Sequence, residues 1–234
     1  MQGVVPAAGE GTRMRPLTAE KPKGLVEVAG KPLLTHVFET LVELDVGELV
    51  VITGYMGGQI REYYGDEFDG VPVTYERQET RDGLAHAMMQ AEPHIDGDFL
   101  WLHGDNILRG NTDALVTRHQ KTDAAVTTLT EDVSEDLAGK GAVLQFEDGE
   151  LTGVVEKPDE PPSTTVPRGF YAFSPLIFPA CRLVTPDETG EYELTSAINL
   201  LLTAGHRLET APIEGWCFNV NTPEEVEQIA RRLG

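Results

Sequence analysis

A glycine-rich loop surrounded by basic residues follows the first apolar run of the chain. The loop, Gly9–Thr12, comes directly after the strand-like run Gly3–Ala7. Four cations accompany it: Arg13, Arg15, Lys21 and Lys23. Glycines let backbone N–H groups approach phosphate oxygens closely, and fixed cations balance the phosphate charge. The loop is not a Walker A loop, because no G-x-x-x-x-G-K-[ST] pattern occurs, and it is not a dinucleotide-binding fingerprint, because Met14 stands where the third glycine should be. A polyphosphate site of another type is therefore predicted.

A carboxylate follows a second apolar run, at Gly104-Asp105-Asn106. An unpaired carboxylate at the end of the buried run Phe99–His103 would be costly. A magnesium ion between Asp105 and a phosphate resolves that cost, because Mg²⁺ prefers a few carboxylates together with phosphate oxygens and water. The alternative is that Asp105 only caps the following turn. His103 and the other five histidines show no metal-ligand spacing and are expected to be structural.

The elements that position these residues belong to a chain of 234 residues, which is long enough for one large α/β domain. There is neither a signal-peptide pattern nor an apolar run of membrane-spanning length, and the two cysteines form no framework. A cytoplasmic protein that does not enter a membrane is therefore expected. The net charge of −21 argues against a nucleic-acid partner and favours a surface adapted to high salt, with a merely acidic mesophilic enzyme as the alternative.

Strand-like and helical patterns alternate through the first half of the chain. Strands are predicted over Gly3–Ala7, Leu49–Thr53, Val71–Glu76 and Phe99–His103, and helices over Leu33–Leu44, Gln59–Tyr64 and Leu84–Ala91. This alternation predicts an α/β fold with a Rossmann-like, mostly parallel sheet flanked by helices. Ligands of such sheets collect at the carboxyl ends of the strands, where the glycine-rich loop and Asp105 both fall.

The second half predicts a different arrangement. Strands are expected over Ala124–Leu129, Ala142–Phe146, Leu151–Glu156 and Arg168–Phe173, and helices over Glu193–Ala204 and Pro223–Leu233. Turns between these strands suggest small antiparallel additions that form a lid or wall. The proline-rich segment Pro158–Pro167 is the best candidate for a mobile loop. We interpret residues 1–234 as a single domain with two halves, 1–122 and 123–234.

Several motifs together resemble those of the sugar-1-phosphate nucleotidylyltransferases, also called nucleoside-diphosphate-sugar pyrophosphorylases. They are the loop Ala7–Thr18 with Lys21–Lys23, then Asp82–Ala87, Gly104–Asn106, Val155–Pro158, Glu193–Thr195 and Asn219–Pro223. Their order and spacing cover nearly the whole chain. The likeness is greatest to the glucose-1-phosphate thymidylyl- and uridylyltransferases, and it implies the nucleotide-diphospho-sugar transferase fold. The C-terminal β-helix of some relatives is not expected after Pro223–Leu233.

The resemblance implies attack of a sugar 1-phosphate oxygen on the α-phosphorus of a nucleoside triphosphate, with release of pyrophosphate. The nucleophile is already anionic, so the protein has to align two anions and stabilise charge on the phosphoryl oxygens. Arg13, Lys23 and Asp105 are implied as the catalytic residues. Arg13 would act on the triphosphate and the α-phosphate, Lys23 would neutralise charge between the two substrates, and Asp105 would bind Mg²⁺.

The resemblance also implies which residues bind the substrates. Those for the nucleotide are Ala8, Gly9, Gly11, Thr12, Arg13, Lys23, Gln78, Gly83, Leu84 and Asp105. An amide side chain at Gln78 and a closely approaching backbone at Gly83 can pair with a pyrimidine base. The 1–122 half is thus the nucleotide-binding half.

The 123–234 half is implied to bind the sugar phosphate. Glu156 would bind sugar hydroxyls and Lys157 the sugar phosphate, with an exposed ion pair as the alternative. Gly141, Gly169 and Tyr171 match further positions of the sugar pocket.

Two departures from the relatives concern the metal and the helix after Glu193. Asn219 stands where thymidylyltransferases carry the aspartate of an Asp-x-Gly-Thr-like turn, which is their second metal ligand. Bifunctional uridylyltransferases use an asparagine instead, and that asparagine would correspond to Asn221. The metal set is therefore Asp105 with Asn219 or Asn221. Ser196 replaces the aspartate that usually follows Glu-x-Thr.

The favoured substrates are dTTP or UTP with glucose 1-phosphate. Within the same fold, a guanylyl- or cytidylyltransferase for mannose 1-phosphate or an alcohol phosphate is the alternative. A non-catalytic regulatory subunit that binds nucleotide sugars is another, although such a binder would not need Arg13, Lys23 and Asp105 together. A monomer or a small homo-oligomer is expected.

Overall fold

A computed structural model describes all residues from Met1 to Gly234. The strands are β1 (Gln2–Ala7), β2 (Glu27–Val28), β3 (Lys31–Pro32), β4 (Glu48–Thr53), β5 (Glu67–Phe68), β6 (Val71–Arg77), β7 (Phe99–Leu102), β8 (Asn106–Gly110), β9 (Ala124–Asp132), β10 (Ala142–Glu147), β11 (Glu150–Glu156), β12 (Thr165–Phe173), β13 (Arg207–Pro212) and β14 (Gly215–Asn219). The helices are α1 (Leu33–Val42), α2 (Gly57–Tyr64), α3 (Leu84–Ala91), α4 (Asp113–Lys121), α5 (Glu135–Ala138), α6 (Ile177–Leu183), α7 (Leu194–Thr203) and α8 (Pro223–Leu233).

The centre of the molecule is an eight-stranded mixed sheet in the order β13-β9-β12-β7-β1-β4-β6-β5. Strands β7, β1, β4 and β6 run parallel to one another. Strands β7, β1 and β4 lie at the centre of the sheet and are covered on both faces, so they are mostly apolar, as in the buried run Leu49–Ile52. The predicted α/β class with a mostly parallel sheet is confirmed. Because β1 and β7 are neighbours, the loop after Ala7 and the segment after Leu102 meet at one edge of the sheet.

Strands β9 and β12 correct the prediction for the second half. Strand β12 pairs antiparallel with both β7 and β9, so β9 runs in the same direction as β7, and β13 extends the sheet parallel to β9. Only β10 and β11 form a separate antiparallel hairpin. Local patterns predicted these strands but not their partners, because the sheet position of a strand depends on contacts far away in the sequence.

The loop before β12 is shorter than predicted, because β12 begins at Thr165 rather than at Arg168. Pro167 is accommodated inside this strand. It lacks an N–H group, but β7 pairs with β12 only from Phe170 onward, so no ladder bond toward β7 is lost at Pro167. The pairing of β12 with β9 changes register after Pro167.

Several elements were not predicted from the sequence, among them β8, β13, β14, α4 and α6. The most consequential is the ribbon of β8 and β14, which pairs Asn106 with Asn219. These two strands are far apart in the sequence, and neither has an alternating pattern strong enough to identify it. The ribbon carries the segment after Asp105 alongside the segment that leads into α8.

The apolar core has two large clusters on opposite faces of the sheet. Alternate residues of the strands enter each cluster, with Val4 in one and Val5 in the other. A third, smaller cluster lies beneath the glycine-rich loop and contains Met14, Val26 and, from α8, Ile229. The C-terminal helix therefore packs on the same apolar support as the loop. None of the helices combines the length and apolar character needed to cross a membrane.

Candidate active site

A deep cleft of about 1090 Å³ lies at the carboxyl ends of the parallel strands. Its walls come from both halves of the chain, as expected for a site that holds two substrates. The predicted residues on its walls are Ala8, Gly9, Lys23, Gln78, Gly83, Leu84, Asp105, Gly141, Glu156, Lys157, Gly169, Tyr171 and Asn219. The predicted residues Gly11, Thr12, Arg13 and Asn221 are not on the walls, although Arg13 and Asn221 are connected to them by hydrogen bonds.

The glycine-rich loop turns sharply after β1. Gly11 has a φ of 63°, and a Cβ atom there would lie 3.0 Å from Cβ of Lys23. The hydroxyl of Thr18 donates to the Gly11 carbonyl at 2.8 Å, and Met14 anchors the following turn in the core. A glycine is thus required at this position because a side chain would have to adopt a left-handed backbone conformation and would also meet Lys23. Gly9 has open space around it, so a ligand can reach its backbone.

Four of the predicted residues form one hydrogen-bonded cluster. The Lys23 ammonium donates to Oδ2 of Asp105 at 2.7 Å and to Oδ1 of Asn221 at 2.8 Å. The Arg13 guanidinium donates to the same Asn221 oxygen at 3.2 Å. Residues that are separated by most of the chain length therefore meet beside the glycine-rich loop. The cluster places two cations beside a carboxylate, which is suited to binding a polyphosphate and its counter-ion.

The electrostatics of Asp105 favour its ionised form. Burial opposes ionisation, but the charge of Lys23 and the hydrogen bond from Lys23 hold the pKa of Asp105 below its usual value. Burial lowers the pKa of the neighbouring His103, so this imidazole is neutral near pH 7. The Lys23 side chain is only 15% exposed and that of Asp105 27%. The pair is therefore shielded enough for its charges to act on a bound ligand.

The oxygen donors near Asp105 fit a magnesium ion that arrives with phosphate ligands. The backbone of Val220 donates to the Asp105 carbonyl at 2.8 Å, which brings Asn219 and Asn221 next to the carboxylate. The donors are one carboxylate and two amide groups, and no group of three or more His, Cys, Asp or Glu side chains capable of holding a metal occurs. Magnesium commonly binds through one or two carboxylates plus substrate phosphates and water. This donor set fits an ion completed by the triphosphate.

The segment predicted to read the base is held rigidly. Gly83 has a φ of 96°, and a Cβ atom there would lie 2.6 Å from the carbonyl oxygen of Tyr192. The Gln78 side chain is 5% exposed, and its Nε2 contacts the Gly83 carbonyl at 3.1 Å and His86 Nδ1 at 3.0 Å. The amide nitrogen of Gln78 thus supports Gly83, and its Oε1 is the atom left for a ligand. Leu84 begins α3 and lies on the cleft wall.

The sugar-phosphate half contributes an acidic wall. Glu156 ends β11 and lies 3.5 Å from the Lys157 ammonium. Lys157 has a φ of 41°, an uncommon conformation for a residue with a side chain, and its N–H donates to Gly141 at 3.0 Å. Its ammonium is 64% exposed and free to meet a second ligand besides Glu156. This geometry suits a lysine that contacts a phosphate at the cleft mouth.

Gly169 and Tyr171 belong to β12 and form the floor of this half. Gly169 has a φ of 65°, and a Cβ atom there would lie 2.5 Å from Nδ2 of Asn106 and 2.7 Å from Nδ1 of His103. Burial raises the pKa of the Tyr171 hydroxyl, so the residue stays a neutral hydrogen-bonding group. The floor is therefore closely packed and polar at its surface.

Several residues on the cleft walls were not assigned a role from the sequence. They are Arg81, Lys140, Arg168, Glu191, Glu193 and Glu225. Arg81 forms an ion pair with Glu10 at 3.1 Å. This pair connects the segment predicted to read the base to the glycine-rich loop. Glu193 lies in a motif quoted for the resemblance, and Glu225 stands three residues after Thr222 in a capping-box pattern, so both carried a sequence signal. Ser196, which stands in place of the relatives' aspartate, is exposed and lies off the cleft walls.

Comparison with known proteins agrees with this geometry. The Nucleotidyl transferase family matches residues 2–218. The UTP–glucose-1-phosphate uridylyltransferase AglF of Haloferax volcanii is 48% identical over 234 residues, covering 100% of this chain and 96% of that protein. A glucose-1-phosphate thymidylyltransferase of Streptomyces antibioticus is 34% identical over 237 aligned positions, covering 100% of this chain and 66% of that protein.

A solved structure from Bacillus anthracis, of a proposed glucose-1-phosphate thymidylyltransferase with bound sucrose, has a TM-score of 0.90 and 25% identity. The alignment covers 99% of this chain and 94% of the solved one. The fold, the motifs and the family match therefore agree. This chain belongs to the nucleotidyl transferase family and is an enzyme of the sugar-1-phosphate nucleotidylyltransferase type.

Proposed function

We propose that this enzyme transfers a uridylyl or thymidylyl group from UTP or dTTP to glucose 1-phosphate, with Mg²⁺. The observation that supports the proposal is that one cleft is lined by Lys23 and Asp105, which are connected to Arg13 through Asn221, and by the Glu156–Lys157 pair. UTP and glucose 1-phosphate are favoured because the AglF relative, at 48% identity, is named for them. The thymidylyltransferase relative keeps dTTP as the second candidate.

In this proposal the protein residues divide the work between two anions. Backbone N–H groups of the loop and the Arg13 guanidinium bind the triphosphate, and Lys23 neutralises charge between the substrates. Lys157 holds the sugar phosphate so that its oxygen faces the α-phosphorus, while Glu156 accepts hydrogen bonds from sugar hydroxyls. No general base is required, because the attacking phosphate oxygen is already ionised at neutral pH. Alignment of the two anions supplies most of the rate.

Asp105 would hold Mg²⁺ together with an amide oxygen from Asn219 or Asn221. The ion would supply positive charge against the phosphate oxygens of the triphosphate. Asp105 is suited to this role because its carboxylate is ionised and only Oδ2 is used by Lys23. A single carboxylate should hold the metal weakly before nucleotide binds, so the triphosphate would bring the ion with it.

A substrate panel tests the proposal. UTP, dTTP, GTP and CTP are each mixed with glucose 1-phosphate, mannose 1-phosphate and N-acetylglucosamine 1-phosphate in molar KCl with Mg²⁺, and pyrophosphate release is measured. We expect UTP or dTTP with glucose 1-phosphate to be fastest, and GTP with mannose 1-phosphate to be much slower. A preference for purine triphosphates would contradict the proposed reading of Gln78 and Gly83. Tight binding of nucleotide sugar without any pyrophosphate release would contradict catalysis.

A further inference from the structure

The two asparagines near Asp105 are not equivalent in the structure. Oδ1 of Asn221 accepts from Lys23 at 2.8 Å and from Arg13 at 3.2 Å. A carbonyl oxygen has two lone pairs, so both acceptor positions of this atom are used by cations. The side chain of Asn219 is exposed on the cleft wall and has no hydrogen-bond partner within the protein. A metal could therefore reach the Asn219 oxygen without displacing a lysine or an arginine.

Asn221 is fixed by the start of α8. The Glu225 carboxylate accepts from the backbone of Asn221 at 2.6 Å and of Thr222 at 3.0 Å, and the Glu225 N–H donates to Thr222 at 3.3 Å. The helix that follows this capping box is anchored by Ile229. Ile229 is fully buried in the cluster that also contains Met14, which follows the glycine-rich loop. The turn that carries Asn221 and the loop that carries Arg13 thus share one support.

Arg13 depends on this contact more than Lys23 does. Its side chain is exposed, and Asn221 is its sole side-chain hydrogen-bond partner in the protein, whereas Lys23 is also held by Asp105. An unrestrained arginine loses side-chain conformational entropy when a ligand orders it. An acceptor that already orders Arg13 reduces that cost before the triphosphate arrives.

We propose that Asn221 is a positioning residue that holds Lys23 and Arg13 in one arrangement, and that Asn219 is the amide that faces the metal. This inference rests on the proposed function.

The first test requires neither metal nor turnover. Inorganic pyrophosphate is titrated into the full-length protein in EDTA by calorimetry, for the wild type, Asn221→Ala and Asn219→Ala. We expect Asn221→Ala to weaken pyrophosphate binding about tenfold, because the two cations lose their common acceptor, and Asn219→Ala to bind as the wild type does. Equal pyrophosphate affinity of Asn221→Ala and the wild type would overturn the inference.

The second test separates positioning from metal binding by kinetics. Asn221→Ala should lower kcat about 10–100-fold, since a misplacement of about 1 Å can cost about 10² in rate. It should leave the half-saturating Mg²⁺ concentration unchanged, while Asn219→Ala should raise that concentration. The reverse pattern would overturn the inference. If the wild type shows no turnover, the proposed function fails, yet the pyrophosphate titration still decides whether Asn221 positions the cations.

Glu225 provides the matched control for the support of Asn221. Glu225→Gln keeps an oxygen that can accept from the backbone of Asn221 and Thr222, whereas Glu225→Ala removes it. We expect the alanine variant to share the pyrophosphate defect of Asn221→Ala and the glutamine variant to recover most of the affinity. Melting temperatures identify any general loss of folding. Equal pyrophosphate affinities for these two variants would contradict the role of the capping box.

Discussion

The two sides of the cleft present different charged groups. On the proposed nucleotide side, called the cationic side below, Lys23 donates to the Asp105 carboxylate, and Lys23 and Arg13 both donate to Asn221. On the proposed sugar side, called the acidic side below, the three carboxylates of Glu156, Glu191 and Glu193 line the wall together with the cations Lys140, Lys157 and Arg168. The protein as a whole carries a net charge of −21. Arg13 and Lys23 are therefore placed together against the overall charge. Under the proposed function the difference between the two sides follows the ligands, since a polyphosphate requires fixed cations, whereas a polyol is bound by acceptors for its hydroxyl groups.

A substitution of Asp105 tests this contrast most directly. Asp105→Asn keeps the shape of the side chain but removes the carboxylate that accepts from Lys23. We expect turnover to fall by about 10³ or more, the scale of losing a key electrostatic group of a preorganised site. Pyrophosphate release with UTP or dTTP and glucose 1-phosphate measures the loss, and an unchanged melting temperature shows that the fold is intact. Activity within tenfold of the wild type would exclude a central role for this carboxylate.

Removing one cation from each side sharpens the comparison. Arg13→Ala should lower kcat by about 10²–10³, as expected for one donor that stabilises developing charge, and should change the KM for glucose 1-phosphate little. Lys157→Ala should instead raise the KM for glucose 1-phosphate first. Initial rates over a grid of both substrate concentrations separate these effects. Identical kinetic patterns for the two variants would mean that the sides are not functionally distinct.

The sequence predicted the cationic side more completely than the acidic one. The glycine-rich loop and Asp105 follow apolar strands, so their position at one sheet edge could be inferred from periodicity, whereas Arg13 and Lys23 were assigned from the resemblance of their motif. The direction of β9 and the ribbon of β8 and β14 depend on pairing between distant segments, which local pattern does not encode. For the same reason, the convergence of Arg13 and Lys23 on Asn221 became visible only in three dimensions.

The acidic side predicts discrimination against charged sugars. A uronic acid 1-phosphate would bring a carboxylate toward Glu156, Glu191 and Glu193. Two like charges about 6 Å apart repel by about 3 kcal/mol at an effective dielectric constant of about 20. After partial compensation by Lys157, we expect kcat/KM for glucuronate 1-phosphate to be about 10–100-fold below that for glucose 1-phosphate.

A charge-removing variant tests the cause of this discrimination. Glu193→Gln should reduce the difference between the two sugar phosphates several-fold. Glu188→Gln, which removes the same charge from an exposed position off the cleft walls, should leave it unchanged. Equal effects of the two variants would assign the discrimination to overall charge rather than to the sugar side.

Salt should act on the protein surface and the cationic side in opposite ways. Screening shortens from about 10 Å at 0.1 M to about 3 Å at 1 M salt, which relieves self-repulsion of the acidic surface but weakens attraction of the triphosphate. We expect the melting temperature to rise by about 2–4 °C or more over this range, the shift produced by about 1 kcal/mol in a chain of this size. The KM for UTP should rise at the same time. A flat or falling melting temperature would contradict the high-salt interpretation of the surface and leave the catalytic proposal intact.

The smallest expected effect concerns the stability cost of the acidic side. Burial, followed by the nearby charges of Glu156 and Glu191, raises the pKa of Glu193 above its ordinary 4.5, although Lys157 partly opposes the shift. Because the folded state disfavours the ionised form, native stability is unaffected well below pH 4.5 and falls as the pH rises through the folded pKa. Glu193→Gln should therefore raise the melting temperature slightly at pH 7, by about 1–2 °C, since such changes are usually within about 0.5 kcal/mol. At pH 4 the difference between the glutamine variant and the wild type should become much smaller, as Glu193 is then mostly protonated in both the folded and unfolded states. A stabilisation of equal size at both pH values would point to packing rather than to repulsion among the carboxylates of the sugar side.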